Sequence, residues 1–100
     1  MREREVEKML VDGIRKLGGR AFKWVSPGND GVPDRIVVLP GYPAVELKTI
    51  TGRLTSLQRI QIDRLRAMGQ DVRVLRGERE VKLFLEECKE KLRDEAGTKM

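Results

Sequence analysis

The chain has 100 residues, a formal net charge of +5, no histidine and one cysteine, Cys88. This length bounds a single domain with a modest core, and 39% apolar with 37% charged residues fits a globular chain rather than a disordered one. Histidine general bases, His-ligated zinc, internal disulfides and Cys-rich zinc sites are excluded, while the basic balance favours an anionic partner, nucleic acid first.

A lone thiol fits a reducing cytoplasm. Met1-Arg-Glu-Arg-Glu leads into a charged amphipathic segment, not a signal peptide. No apolar run approaches membrane length. In chain order, Val6, Leu10, Ile14 and Leu17 recur at helical spacing and predict a helix over 3–17, ended by Gly18-Gly19. Glu3 falls inside that stripe and Glu7 at its edge. Either these are solvated acids at a frayed end, or one of them reaches a partner elsewhere, since a lone buried carboxylate is costly.

Residues 20–25 read as a strand with Phe22 and Trp24 on one face. Four aromatics in the whole chain are few for a base-stacking surface, so both are expected in the core. Ser26-Pro27-Gly28-Asn29-Asp30-Gly31 reads as a loop whose glycines let backbone N–H groups approach a phosphate; a plain connecting turn is the simpler reading. Two short apolar runs follow, 35–39 and 44–48, broken at Pro40-Gly41, and predict a hairpin with Asp34 roughly opposite Glu46. Strand alternation puts Glu46 and Lys48 on one face, with Val45 and Leu47 on the other. Two carboxylates and an ammonium at the end of an apolar hairpin suit a hard divalent cation and the stabilisation of developing negative charge.

Thr55 with Gln58 matches a capping box for a second helix. Leu57, Ile60, Leu65 and Met68 are its expected core face, Gly69 its C-terminal cap, and Ile62 is left on the far side. Residues 71–75 read as a strand and 78–92 as a last helix with Val81, Phe84, Leu85, Cys88 and Leu92 inward. The domain is expected to span 1–93, with 94–100 a polar tail. The fold class is α/β: an αβββαβ order with a mixed four-stranded sheet flanked by helices and an extra C-terminal helix, the second helix being a right-handed crossover.

Pro33-Asp34, the step to Glu46 and then Leu47-Lys48 resemble the PD-(D/E)xK nuclease motif, and the element order resembles that superfamily's core. More narrowly, Gly18-Gly19, Ser26-Pro27-Gly28, Gly31-Val32-Pro33-Asp34, Glu46-Leu47-Lys48, Gly52 and Gln58 resemble the virus-type replication-repair nuclease (VRR-NUC) domain, in its stand-alone phage form, from about Glu3 to Leu85.

The resemblance implies a divalent-metal-dependent DNA endonuclease. Asp34, Glu46 and the Leu47 carbonyl would bind Mg²⁺ or Mn²⁺, joined by a first-helix glutamate, Glu3 or Glu7. Lys48 would orient or activate the water, and Gln58 would be the family's helix glutamine as well as a cap. Ser26 and Gly28 would line the substrate approach, and Lys23, Arg35, Arg53 and Arg59, with Arg2 and Lys8, are candidates for backbone phosphates. A cytoplasmic homodimer acting on branched DNA such as a four-way junction is expected, since one chain supplies one cut, and the resemblance points the same way; Ile62 and Tyr42, apolar positions that the core stripes leave over, are its expected interface residues. The competing readings are a non-catalytic DNA-binding module, a monomeric nuclease of flaps or ends, and a purely structural ion-pair cluster.

Overall fold

In the computed structural model residues 2–98 are described, with side chains through residue 94. The elements are α1 (Glu3–Lys16), β1 (Arg20–Lys23), β2 (Arg35–Val38), β3 (Val45–Ile50), α2 (Ser56–Ala67), β4 (Val72–Arg76) and α3 (Gly77–Thr98). This is the expected αβββαβ order with an added C-terminal helix. α3 continues past the end of its apolar stripe, across most of the stretch read as a polar tail; residues 99–100 lie outside the described residues.

The sheet runs β1-β2-β3-β4, with β1, β2 and β3 antiparallel and β3 parallel to β4. Alternation along the strands sorts the core into two layers. Ala21, Val37, Val45, Leu47 and Leu75 point to one face, where they pack with Val6, Leu10 and Ile14 of α1 and Val81, Phe84 and Cys88 of α3. The other face carries the buried Val72 and Ile50 and faces α2, whose own buried residue is Ile62. α2 connects two adjacent parallel strands and packs on β4, at one end of the sheet. The opposite half of that face, on β1 and β2, has no helix over it: Phe22 and Val38 stay exposed.

Three expectations change here. Ile62 is core, 2% exposed, whereas Leu57, Ile60 and Met68 are exposed. α2 has apolar residues around most of its circumference, so periodicity cannot say which arc meets the sheet; packing on β4 selects Ile62 and the half-buried Leu65. Phe22 is 57% exposed rather than core, because α1 and α3 lie on the opposite face and α2 covers only the other half. Tyr42 is no free hairpin tip: it packs against the core and its hydroxyl donates to the Lys91 carbonyl at 2.8 Å. Ile62 and Tyr42 are therefore both occupied within the chain. Among the described residues no helix is long and apolar enough to cross a membrane.

The loop before Asp34 is pinned to the start of α2 at Gly31. Its φ is +89°, and a Cβ there would lie 2.7 Å from the Leu57 carbonyl. Gly28 shares the left-handed φ, +80°, but has open space around it. Gly28→Ala is therefore expected to cost about 1 kcal/mol for the backbone conformation alone. Gly31→Ala adds the collision with backbone and should cost roughly 2–3 kcal/mol. Urea unfolding of the two variants measures the difference; equal losses would mean the loop does not need its close approach to α2.

Candidate active site

The hairpin register differs from the expected one by two residues. Ile36, not Asp34, pairs with Glu46, and Arg35 pairs with Leu47. The connecting loop is the cause: it turns at Gly41, φ +81°, with the Tyr42 amide donating to the Leu39 carbonyl, so the hairpin is centred on Gly41, one residue later than an Asp34–Glu46 pairing needs. Asp34 precedes β2, its carbonyl accepting from the Trp24 amide at 2.8 Å, and it falls level with Lys48.

That register sets the chemistry. Lys48 Nζ donates to both Asp34 carboxylate oxygens, at 3.1 and 3.2 Å, and the Thr49 amide donates to Asp34 Oδ2 at 3.4 Å. Lys48 is 8% exposed. Glu3 brings a second carboxylate to the ammonium, its Oε1 3.8 Å from Nζ. Glu46, two residues before Lys48 and so on the same face of β3, has a buried oxygen, Oε2, with no hydrogen-bond partner. Burial pushes its carboxyl above the ordinary carboxylate value.

Glu7, the other first-helix candidate, is held elsewhere. It accepts from Arg35 Nε at 2.9 Å, while the same guanidinium donates to the Ala21 carbonyl at 3.2 Å. This pair ties α1 to β1 and β2, and it occupies Arg35 within the chain, so Arg35 is not the free phosphate contact that its charge suggests. Gln58 makes the predicted cap: its Oε1 accepts from the Thr55 backbone amide at 2.8 Å and its own backbone amide donates to Thr55 Oγ1 at 3.2 Å. Its helix turn is the one against which Gly31 packs. Ser26 Oγ accepts from Asn29 within the loop, and Gly28, Lys23, Arg53 and Arg59 are exposed. Lys8 pairs with Asp12 on the outer face of α1. Cys88 is no nucleophile: burial pushes its thiol up to about 11.

The structure thus brings together Asp34, Lys48 and Glu3, with Glu46 beside them on β3. Among the described residues no group of three or more acidic, histidine or cysteine side chains stands close enough to hold a metal by itself. The Lys48 ammonium is bonded to Asp34 and lies near Glu3. Thr49 escaped the sequence reading; as a residue whose role here is a backbone N–H, it left no side-chain signal.

No family model matches the chain. It is 47% identical over 77 residues to "Putative nuclease p44" of Acyrthosiphon pisum secondary endosymbiont phage 1, covering 75% of this chain and 83% of that protein. A solved structure described as a VRR_NUC domain superposes with a TM-score of 0.77 at 25% identity, over 84% of this chain and 94% of the other. The chain belongs to the VRR-NUC nucleases. Its fold is therefore the PD-(D/E)xK nuclease fold that the motif suggested, and its activity class is that of a nuclease. In this VRR-NUC domain the motif aspartate and lysine are in direct contact, and the motif glutamate has a carboxylate oxygen left over.

The raised Glu46 carboxyl makes a stability prediction. A folded pKa above the unfolded one means the native state holds the proton more tightly, so stability falls as pH rises from the ordinary carboxylate value through the raised one. Glu46→Gln cannot ionise. In chelator at pH 7 it is expected to melt on the order of a few degrees above wild type, with the gap closing near about pH 4. Melting curves at both pH values check this; a gap independent of pH would remove the buried charge as its cause.

Proposed function

We propose that this nuclease is a divalent-metal-dependent DNA endonuclease whose site is Asp34, Glu46 and Lys48. The observation that carries the reading is the unpartnered, buried Glu46 oxygen beside an Asp34 already engaged by Lys48. A buried carboxylate oxygen without a protein partner costs free energy unless something binds it, and a charged oxygen costs more than the buried Thr49 hydroxyl that also lacks a protein partner. The donor set is carboxylate and carbonyl oxygen, which suits a hard cation. Asp34, Glu46 and the Leu47 carbonyl would hold Mg²⁺ or Mn²⁺. Such an ion supplies a water of lowered pKa and a Lewis acid for the phosphoryl group.

The chain's own residues do the rest. Lys48 holds its ammonium at the carboxylates, where it can donate to the attacking water or to a phosphoryl oxygen and oppose the charge that develops there. Glu3 brings a second carboxylate to that ammonium and is the first-helix glutamate of the site; Glu7 keeps its structural bond to Arg35. Gln58 keeps its cap and borders the loop that delivers Asp34. The exposed Lys23, Arg53 and Arg59, with Ser26 and Gly28 of the loop, receive the DNA backbone.

Lys48→Met keeps the apolar stem and removes the charge. Cleavage is expected to fall by about 10²–10⁴-fold in protein that circular dichroism shows to be folded, with its melting temperature lowered by the unpaired Asp34. Near wild-type cleavage by a folded Lys48→Met protein would take the lysine out of the mechanism. Mn²⁺ binding without cleavage by the wild type would favour the structural ion-pair reading instead.

We further propose a cytoplasmic homodimer that prefers branched DNA such as a four-way junction. One chain carries one site, and symmetric resolution of a junction takes two cuts on opposing strands; a two-fold dimer supplies both in matched orientation. The exposed Leu57 and Ile60 of α2, with Met68 at its C-terminal cap, supply the candidate interface in place of Ile62 and Tyr42. Ile60→Glu is expected to convert a dimeric mass to a monomeric one in light scattering and to lower junction cleavage more than linear-duplex cleavage. A wild-type monomer cutting both substrates at equal rates would rule this out.

A further inference from the structure

Phe22 belongs to the active-site face. It pairs with Ile36, and Ile36 pairs with Glu46, so Phe22, Ile36 and Glu46 form one row across β1, β2 and β3. Residues directly opposite on neighbouring strands project to the same side, and Ala21 and Val37, their chain neighbours, are buried on the other. Phe22 therefore stands two strands from Glu46, about 10 Å away at the usual strand spacing. Its ring is 57% exposed, Val38 beside it is 40% exposed, and Ile36 between the ring and the carboxylate is half-buried. The exposed Lys23 follows on the same edge strand.

Resting on the reading that DNA is cut at Glu46 and Lys48, we propose that Phe22 is a stacking platform for an unpaired nucleobase on the strand being cut. About 10 Å is short enough for one strand to lay an unpaired base on Phe22 while a nearby phosphate of the same strand lies at the Glu46–Lys48 site. An exposed aromatic face offers stacking to any base without regard to sequence. The alternative occupant, a second copy of this chain, fits badly. A protein surface lying flat on Phe22 would also lie along the row leading to Glu46 and close off the site. A nucleobase covers the ring and leaves the carboxylates open to the phosphate of the same strand. The substrate class this names is DNA with an unpaired base flanking the cut, as at a bulge, flap or branch point, rather than fully paired duplex.

The test uses two duplexes, one carrying a single unpaired 2-aminopurine as a bulge and one fully paired, titrated in chelator so that no cleavage is needed. Wild type, Phe22→Ala, Phe22→Leu and Phe22→Trp are compared. The ring is largely exposed, so all four are expected to fold, and circular dichroism checks it. Wild type and Phe22→Trp should quench the 2-aminopurine fluorescence by stacking. Phe22→Ala and Phe22→Leu should lose the quenching and bind the bulged probe roughly 5- to 150-fold more weakly, with paired-duplex binding unchanged. Leucine keeps apolar area and loses the ring, so quenching retained in Phe22→Leu would overturn stacking. Equal weakening on both duplexes would also overturn it, leaving the DNA reading intact. Wild type binding neither duplex, in chelator or with Ca²⁺ supplied in place of Mg²⁺, would overturn both. Light scattering gives the remaining arm: if Phe22→Ala converts a dimer to a monomer, the patch belongs to a second copy and the inference falls.

Discussion

The contact between Lys48 and Asp34 is the constraint on which the site depends. A lysine ammonium almost out of water is tolerated only with a hydrogen-bonded counter-charge, and Asp34 supplies it through both oxygens. Such pairs contribute little net stability, because desolvation offsets most of the attraction, yet losing one partner costs about 3–5 kcal/mol. The pair is thus weak as a stabiliser and strong as a positional device. It fixes the end of the loop to β3, and the Thr49 amide adds a backbone bond to the same carboxylate.

Everything that places Asp34 serves this contact. The loop leading to it is seated on the first turn of α2 through Gly31, and that turn is itself held by the reciprocal Thr55–Gln58 cap. On the other side, α1 is anchored to the sheet by Glu7 and Arg35, which leaves Glu3 at the helix start near Lys48. The two first-helix glutamates thus divide the work: one joins helix to sheet, the other adds negative charge to the cluster. Glu46 contrasts with both. Its buried oxygen has no protein partner and its carboxyl is pushed up by desolvation.

The sheet divides this labour between its faces. One face is fully covered by α1 and α3 and holds most of the core. The other is covered by α2 at the β4 end and stays open at β1 and β2. A short chain cannot cover both faces of a four-stranded sheet with three helices, since the two longer helices share one side. The open half is the side on which Glu46 projects, so the shortage of covering helix is also what gives a large substrate access.

The sequence by itself determined the element order, the caps and the meeting of Asp34 with the Glu46–Lys48 strand. These follow from local rules: helical and strand periods, a Thr55–Gln58 box, glycines after helix ends, and a hairpin short enough that its arms must pair. Only the tertiary structure decided four other matters. The register moved by two residues because the turn centres on Gly41, and that set Asp34 against Lys48 rather than Glu46. Glu3 was separated from Glu7 by Arg35, a long side chain whose reach no spacing rule encodes. The buried side of α2 was chosen by β4, since apolar residues around most of the helix make any one stripe ambiguous. Phe22 was left in solvent because strand alternation names the two faces of a sheet but not which of them a helix will cover.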